Sequence, residues 1–204
     1  MNGDFFGPDY LGHVREHVFL AAGALLGAAA IGLPLGTLTA RTRIVRPAIL
    51  AAINTARVIP SLAVLMLMIP LIGLGTVPAI VALVLLAIPP IVVNTDLALR
   101  SVPVAVVDAA RGLGMTGRQL ARRVEWPLAF PVVFAGIRTA GVEVIASATL
   151  AAFIGGGGLG EYITSGLSTD DTGQLLLGAL SVAILALAVD ALLSRLQRRL
   201  AAAT

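Results

Sequence analysis

The 204-residue sequence contains no cysteine and no lysine. Without cysteine there is no disulfide framework and no thiolate metal site. Without lysine there is no Walker A loop, because that loop needs an ammonium group to reach the β- and γ-phosphates. The chain is therefore no P-loop ATPase, and any energy drawn from ATP must come from a partner. Histidine is nearly absent as well. The two copies, His13 and His17, have the helical spacing of a metal-binding pair, but no third ligand accompanies them. Charge is scarce: 12% of residues are charged, where a soluble domain typically has about a quarter.

Apolar residues fill the space that charge leaves. They make up 58% of the sequence, with a mean hydropathy of +0.97. A surface this poor in charge faces something other than water, which is the composition of a polytopic membrane protein. A spanning helix needs about 20 mostly apolar residues, and five runs qualify: 18–40, 47–72, 77–95, 128–154 and 174–193. Arg57 and Pro60 interrupt the second, and the third contains the Pro89-Pro90 pair. Residues 96–127 are too charged to span. Residues 155–173 read as a glycine-rich, acidic loop.

The arginines orient this bundle. Arg41, Arg43 and Arg46 follow the first run; Arg100, Arg111, Arg118, Arg122 and Arg123 separate the third from the fourth; Arg195, Arg198 and Arg199 follow the fifth. With five spans these eleven share one side, against Arg15 alone on the other, whose loops carry Glu161, Asp170 and Asp171. By the positive-inside rule the N-terminus lies outside and the C-terminus in the cytoplasm. The pI near 10.5 then reflects topology rather than binding to nucleic acid. Asp4, Asp9 and Glu16 precede the first run, where a signal peptide would be basic, so the run reads as a retained span. The expected organisation is an all-α membrane bundle over residues 18–200, with an extracytoplasmic segment at 1–17 and a cytoplasmic tail at 201–204. No long tandem repeat, soluble domain or coiled coil is apparent.

Between the third and fourth runs the pattern predicts two short helices. The first covers residues 104–113 and is ended by Gly112 and Gly114, which tolerate the left-handed geometry of a C-cap. The second opens at Thr116, with Gln119 three residues on in a capping-box pattern. Leu120 and Val124 share one of its faces, and Pro127 is expected to reset the chain before the next span. Two capped helices joined by a glycine turn make a compact cytoplasmic knob, suited to seating in a partner's groove.

That knob resembles the EAA loop of permease subunits from binding-protein-dependent ATP-binding-cassette importers. The family pattern is Glu-Ala-Ala, three residues, Gly, nine residues, Ile, one residue, Leu-Pro. Here Asp108-Ala109-Ala110 is followed at the same spacing by Gly114, then by Val124, Glu125, Trp126 and Pro127. Asp, Val and Trp replace Glu, Ile and Leu. The resemblance implies a type I importer permease fold whose coupling helix docks on an ATPase subunit, with Asp108, Ala109, Ala110, Gly114, Arg118, Val124 and Pro127 as coupling residues. It also implies a bacterial cytoplasmic-membrane location, a second permease chain and an extracytoplasmic substrate-binding protein. No cofactor is expected in this chain, since ATP and Mg belong to the ATPase.

Further stretches resemble permeases for quaternary-amine osmoprotectants such as glycine betaine, carnitine, choline or proline. They are residues 57–62, Asn94-Thr95, residues 135–140, 148–155 and 157–160. Related methionine and other amino-acid permeases share the fold and the loop. The span phenylalanines Phe19, Phe130, Phe134 and Phe153 are scattered, which argues against a quaternary-ammonium cage within this chain and assigns selectivity to the binding protein.

Ionisable groups inside spans cost about 2.5–3.5 kcal/mol each on insertion scales and face a cavity or a partner. Arg57, Arg138 and Glu143 are such groups. One reading pairs Glu143 with Arg57 or Arg138; another sets Glu143 on the pathway of a cationic quaternary amine; a third has the groups snorkel. Asp190 is expected to pair with Arg195 or to face headgroups. The candidate pathway residues are Arg57, Pro60, Ser61, Asn94, Arg138, Glu143 and Thr149. The glycines at 155–160 are expected to form flexible backbone near an outer gate or a binding-protein dock. Three rival classes explain less. A secondary transporter predicts matching inverted halves, an intramembrane enzyme needs clustered acid, base or metal ligands, and a channel has no use for the EAA spacing.

Overall fold

The computed structural model describes residues 9–201. Asp4, the rest of the segment 1–8 and tail residues 202–204 lie outside the described residues. Among the described residues there are nine α-helices: α1 (Tyr10–Arg41), α2 (Arg46–Ala56), α3 (Ser61–Ile72), α4 (Thr76–Arg100), α5 (Val104–Gly112), α6 (Gly117–Leu120), α7 (Trp126–Ala148), α8 (Gly160–Ser168) and α9 (Thr172–Ala201). A π-helical turn (Ala121–Glu125) joins α6 to α7, and a 3₁₀ stretch (Thr149–Ile154) extends α7. No β-strand occurs among the described residues.

α1, α4, the continuous run from Gly117 to Ile154 and α9 are each long and apolar enough to cross a membrane. The second apolar run departs from expectation. It is not one helix but two, α2 and α3, bent by 96° at residues 57–60. Pro60 has no amide hydrogen for the helix ladder, and its ψ of 135° turns the chain away before Ser61 starts α3. The bent pair still connects the two ends of the bundle. Arg46, at the start of α2, grips Asp96 near the end of α4. Beyond α3, the amide of Gly75 donates to the carbonyl of Ile154 at the opposite end.

α4 is the central post, packed between α1 and α7, and small residues allow the close approach. A methyl group at Gly36 of α1 would lie 2.6 Å from Thr95 Cβ, and one at Gly136 of α7 would lie 2.6 Å from Asn94 Cβ and 2.9 Å from the Pro90 carbonyl. Because part of what it would meet at Gly136 is backbone, relaxation is limited. Gly136→Val is expected to destabilise the fold by about 1–3 kcal/mol, the usual cost of overpacking. The single tryptophan gives a thermal-unfolding signal to check this, and an unchanged melting temperature would contradict the packing described. The outward sides of α1 and α9 expose Phe19, Leu26, Leu180, Ile184 and Leu187, as lipid-facing helices do.

The third span runs five residues beyond its expected end. Asp96, expected to start a polar stretch, is instead buried inside α4. Its carboxylate accepts from Arg46 Nε at 3.0 Å and from Arg46 Nη2 at 2.9 Å, so the charge is paired rather than solvated. The expected loop at 155–173 is also not all loop, since it contains α8.

Candidate functional site

The knob forms at the arginine-rich end. Pro103 opens α5 as its N-cap. Its C-terminus closes in a Schellman arrangement: Gly114 N–H donates to Arg111 O at 2.9 Å and Met115 N–H to Ala110 O at 3.2 Å. Gly114 sits at φ +80°, whereas Gly112 stays within the helix. Two residues later the next cap begins. Thr116 N–H donates to Gln119 Oε1 at 2.8 Å, and Gln119 N–H to Thr116 Oγ1 at 3.4 Å, completing the capping box. A helix stop and a helix start are thus fused across Gly114–Thr116, which fixes the angle between α5 and α6.

The helix that the capping box opens does not stay short. Pro127 does not reset the chain; α6 passes through the π turn straight into α7, so Gly117–Ile154 forms one 38-residue run. The widened turn explains how. Trp126 N–H bonds Ala121 O, five residues back, and the ladder shifts by one residue just ahead of a proline that has no amide hydrogen to give. Arg41, at the end of α1, braces this turn through Glu125 at 2.9 Å.

Within the knob, Ala110 and Leu120 are buried, and Val124 and Pro127 are half-buried. Asp108, Ala109, Gly114 and Arg118 are exposed. Asp108 and Arg111 lie 3.7 Å apart on the surface of α5, beside exposed Val104, Val106 and Leu113. The coupling candidates therefore divide into four that lie within or turn the knob, Ala110, Gly114, Val124 and Pro127, and three that it presents outward, Asp108, Ala109 and Arg118.

A second site lies at the α2–α3 bend. A cavity of about 900 Å³ is lined by Arg57, Pro60 and Ser61 from the bend, by Leu85, Leu86, Ile88 and Pro89 of α4, and by Glu143 and Ser147 of α7, among others. Four of the seven pathway candidates thus come together: Arg57, Pro60, Ser61 and Glu143. The other three lie elsewhere. Asn94 donates to the Pro90 carbonyl at 2.8 Å against Gly136. Thr149 Oγ1 donates back to Ala146 O at 2.6 Å. Arg138 faces a separate recess of about 450 Å³ with Asp190, onto which Glu143 also opens. Ser147 is a lining residue that the sequence reading misses, although its position four residues after Glu143 puts both on one helix face.

The charge pairing differs from both expectations. Arg138 binds Asp190 through a two-pronged contact, Nε to Oδ1 at 2.6 Å and Nη2 to Oδ2 at 2.7 Å. So Arg138 does not pair with Glu143, nor Asp190 with Arg195. Glu143 makes no ion pair within 4.0 Å among the described residues. Arg57 and Glu143 share the cavity without closing on each other.

At the opposite end of the bundle the glycine loop is held rather than loose. Gly155, Gly157 and Gly158 take positive φ, and the Gly158 amide donates to Glu16 of α1 at 3.1 Å. His17 is buried, its Nε2 donating to Ile145 O at 3.0 Å, and so ties α1 to α7. His13 lies 3.6 Å from Glu16 and 3.7 Å from Glu161. No set of three or more such side chains placed to hold a metal occurs among the described residues.

Comparison with known proteins places these features in context. The sequence model of a family described as "Binding-protein-dependent transport system inner membrane component" matches residues 32–203. The chain is 39% identical over 193 residues to the glycine betaine/carnitine/choline transport system permease protein OpuCB of Bacillus subtilis, covering 95% of this chain and 89% of that one. It is 44% identical over 187 residues to the osmoprotectant import permease protein OsmW of Salmonella typhimurium, covering 89% and 87%. Among solved structures it resembles a chain of the inward-facing MetNI methionine ABC transporter, with a TM-score of 0.80 at 26% identity over 94% of this chain and 95% of that one.

Proposed function

Since the chain belongs to the family of inner membrane components of binding-protein-dependent transport systems, we propose that it carries a small osmoprotectant across the membrane and draws its energy through α5. The substrates in view are glycine betaine, carnitine, choline and proline. The relatives named for such compounds share 39% and 44% identity, against 26% for the methionine transporter chain, which favours osmoprotectants over amino acids.

The observation that carries the coupling role is the exposed surface of α5. Leu113 is 81% exposed and Val104 72% exposed, beside Asp108 and Arg111, at the end where the arginines gather. Apolar side chains at a water-facing end call for a partner surface. In this reading the partner is an ATPase subunit that holds ATP and Mg, and a groove on it receives α5. Two permease chains, identical or similar, enclose the path, and a binding protein delivers substrate from outside. The N-terminus lies outside and the C-terminus inside, which puts the knob in the cytoplasm and the glycine loop outside. Residues 18–200 form the membrane domain. Asp108, Ala109 and Arg118 contact the ATPase, while Ala110, Gly114, Val124 and Pro127 set the shape and bearing of the knob.

Because the sequence has no native cysteine, a single Ala109→Cys variant offers one defined attachment point for a photoreactive probe. Irradiation of cells expressing the whole transporter is expected to trap the ATPase subunit on Ala109→Cys and not on a Leu187→Cys control, which faces lipid. Uptake that continues while no ATPase is trapped would remove the basis for the coupling role.

A further inference from the structure

Arg57 and Glu143 are the two charged side chains among the residues lining the 900 Å³ cavity at the α2–α3 bend. Their charges are opposite, and no contact within 4.0 Å joins them. A pair whose purpose was to neutralise itself inside a membrane would close, as Arg138 and Asp190 do. Arg57 and Glu143 line one cavity without forming an ion pair.

The rest of the lining suits a particular visitor. Ile53, Val64, Leu67 and Met68 make much of the wall aliphatic, which accepts the methyl groups of a quaternary ammonium ion without demanding hydrogen bonds. The helix backbone beside the cavity is also short of hydrogen bonds. Pro89 and Pro90 have no amide hydrogen to give to the carbonyls of Leu85 and Leu86, four residues earlier in α4, and both leucines line the cavity. The guanidinium of Arg57 has a planar fork that matches a carboxylate, and Ser61 is a further polar residue of the lining.

We infer that Arg57 and Glu143 form a two-point reader for zwitterions, Arg57 taking the carboxylate and Glu143 the quaternary ammonium group. The reader rests on the osmoprotectant reading and goes further. It makes this chain, and not only a binding protein, discriminate between a zwitterion such as glycine betaine and a plain cation such as choline.

The test is uptake of radiolabelled glycine betaine and choline by cells expressing the complete transporter, normalised to the permease present in the membrane. Arg57→Gln is expected to lower the ratio of glycine betaine to choline uptake about tenfold, the size of one well-placed charged contact. Glu143→Gln is expected to lower uptake of both compounds. If Arg57→Gln does not accumulate, Arg57→Lys serves instead. It keeps the charge but loses the fork, so the ratio should fall by a smaller factor. A ratio unchanged in whichever Arg57 variant accumulates, or full uptake of both compounds by Glu143→Gln, overturns the reader and leaves the osmoprotectant reading standing. Wild-type transporter that carries none of glycine betaine, choline, carnitine and proline overturns both.

Discussion

Gly114→Val is expected to reduce substrate uptake by about tenfold or more while the protein still inserts and accumulates normally. Gly114 sits at φ +80°, and the left-handed region costs an L-residue roughly 1–2 kcal/mol. A β-branched side chain tolerates it worst. Space is not the obstacle, because a methyl group there would meet nothing within 4 Å. The penalty is therefore conformational, and it is relieved by re-angling α5 against α6. The chain can do this without disturbing the membrane helices. A shift of about 1.4 kcal/mol is a factor of ten in any equilibrium, and a misdirected α5 would lose its seat on the ATPase. A graded series is the sharper check. Asparagine, which visits this region readily, should retain most uptake, alanine less and valine least, with trapping at Ala109→Cys falling in parallel. Equal uptake by all three would show that the Schellman turn does not set the coupling geometry.

Asp190→Leu is expected to deplete the protein from the membrane severely, and Asp190→Leu with Arg138→Leu to restore much of it. The two side chains join α7 to α9 through a fork of two short hydrogen bonds. Removing the carboxylate alone strands a guanidinium that cannot shed its charge; removing both leaves two leucines beside Ala135 and Val142, with no unpaired charge of the pair left behind. Losing one partner of such a pair is far more damaging than losing both. Levels of inserted protein, measured for the two single variants and the double, form a mutant cycle whose coupling term isolates the pair. A double variant as depleted as Asp190→Leu would mean that the residues matter for separate reasons.

Features encoded over a few neighbouring residues could be read from the sequence. The turn at Gly114, the capping box at Thr116 and Gln119 and the existence of long apolar helices all arise from contacts within one or two helical turns or from counts along the chain. Pairings between distant helices could not. Arg138 finds Asp190 fifty-two residues away, and Arg46 finds Asp96 fifty residues away. At the sequence level Glu143 and Arg195 were equally good partners, because charge alone carries no direction. The 96° bend was half visible. Pro60 marked a break, but a proline sets only its own backbone, and the angle depends on how α3 packs against α4. The π turn was hidden for a different reason. Pro127 reads as a boundary, and only a one-residue shift of the ladder lets a helix pass through it. In the cavity, Arg57 and Glu143 stood out as charges in apolar runs, whereas Ser147 carried no signal strong enough to separate it from other small polar residues.

The unbroken run from Gly117 to Ile154 has a mechanical consequence. At about 1.5 Å of rise per residue, its 38 residues make a strut roughly 57 Å long, with one tip at the knob. The other tip is moored: the carbonyl of Ile154 is bonded to Gly75, and the glycines just beyond it are clasped by Glu16. A continuous helical run moored at its far tip carries a displacement along its axis. Were a partner to tilt the knob, the displacement would reach α1 and Gly75 through these bonds.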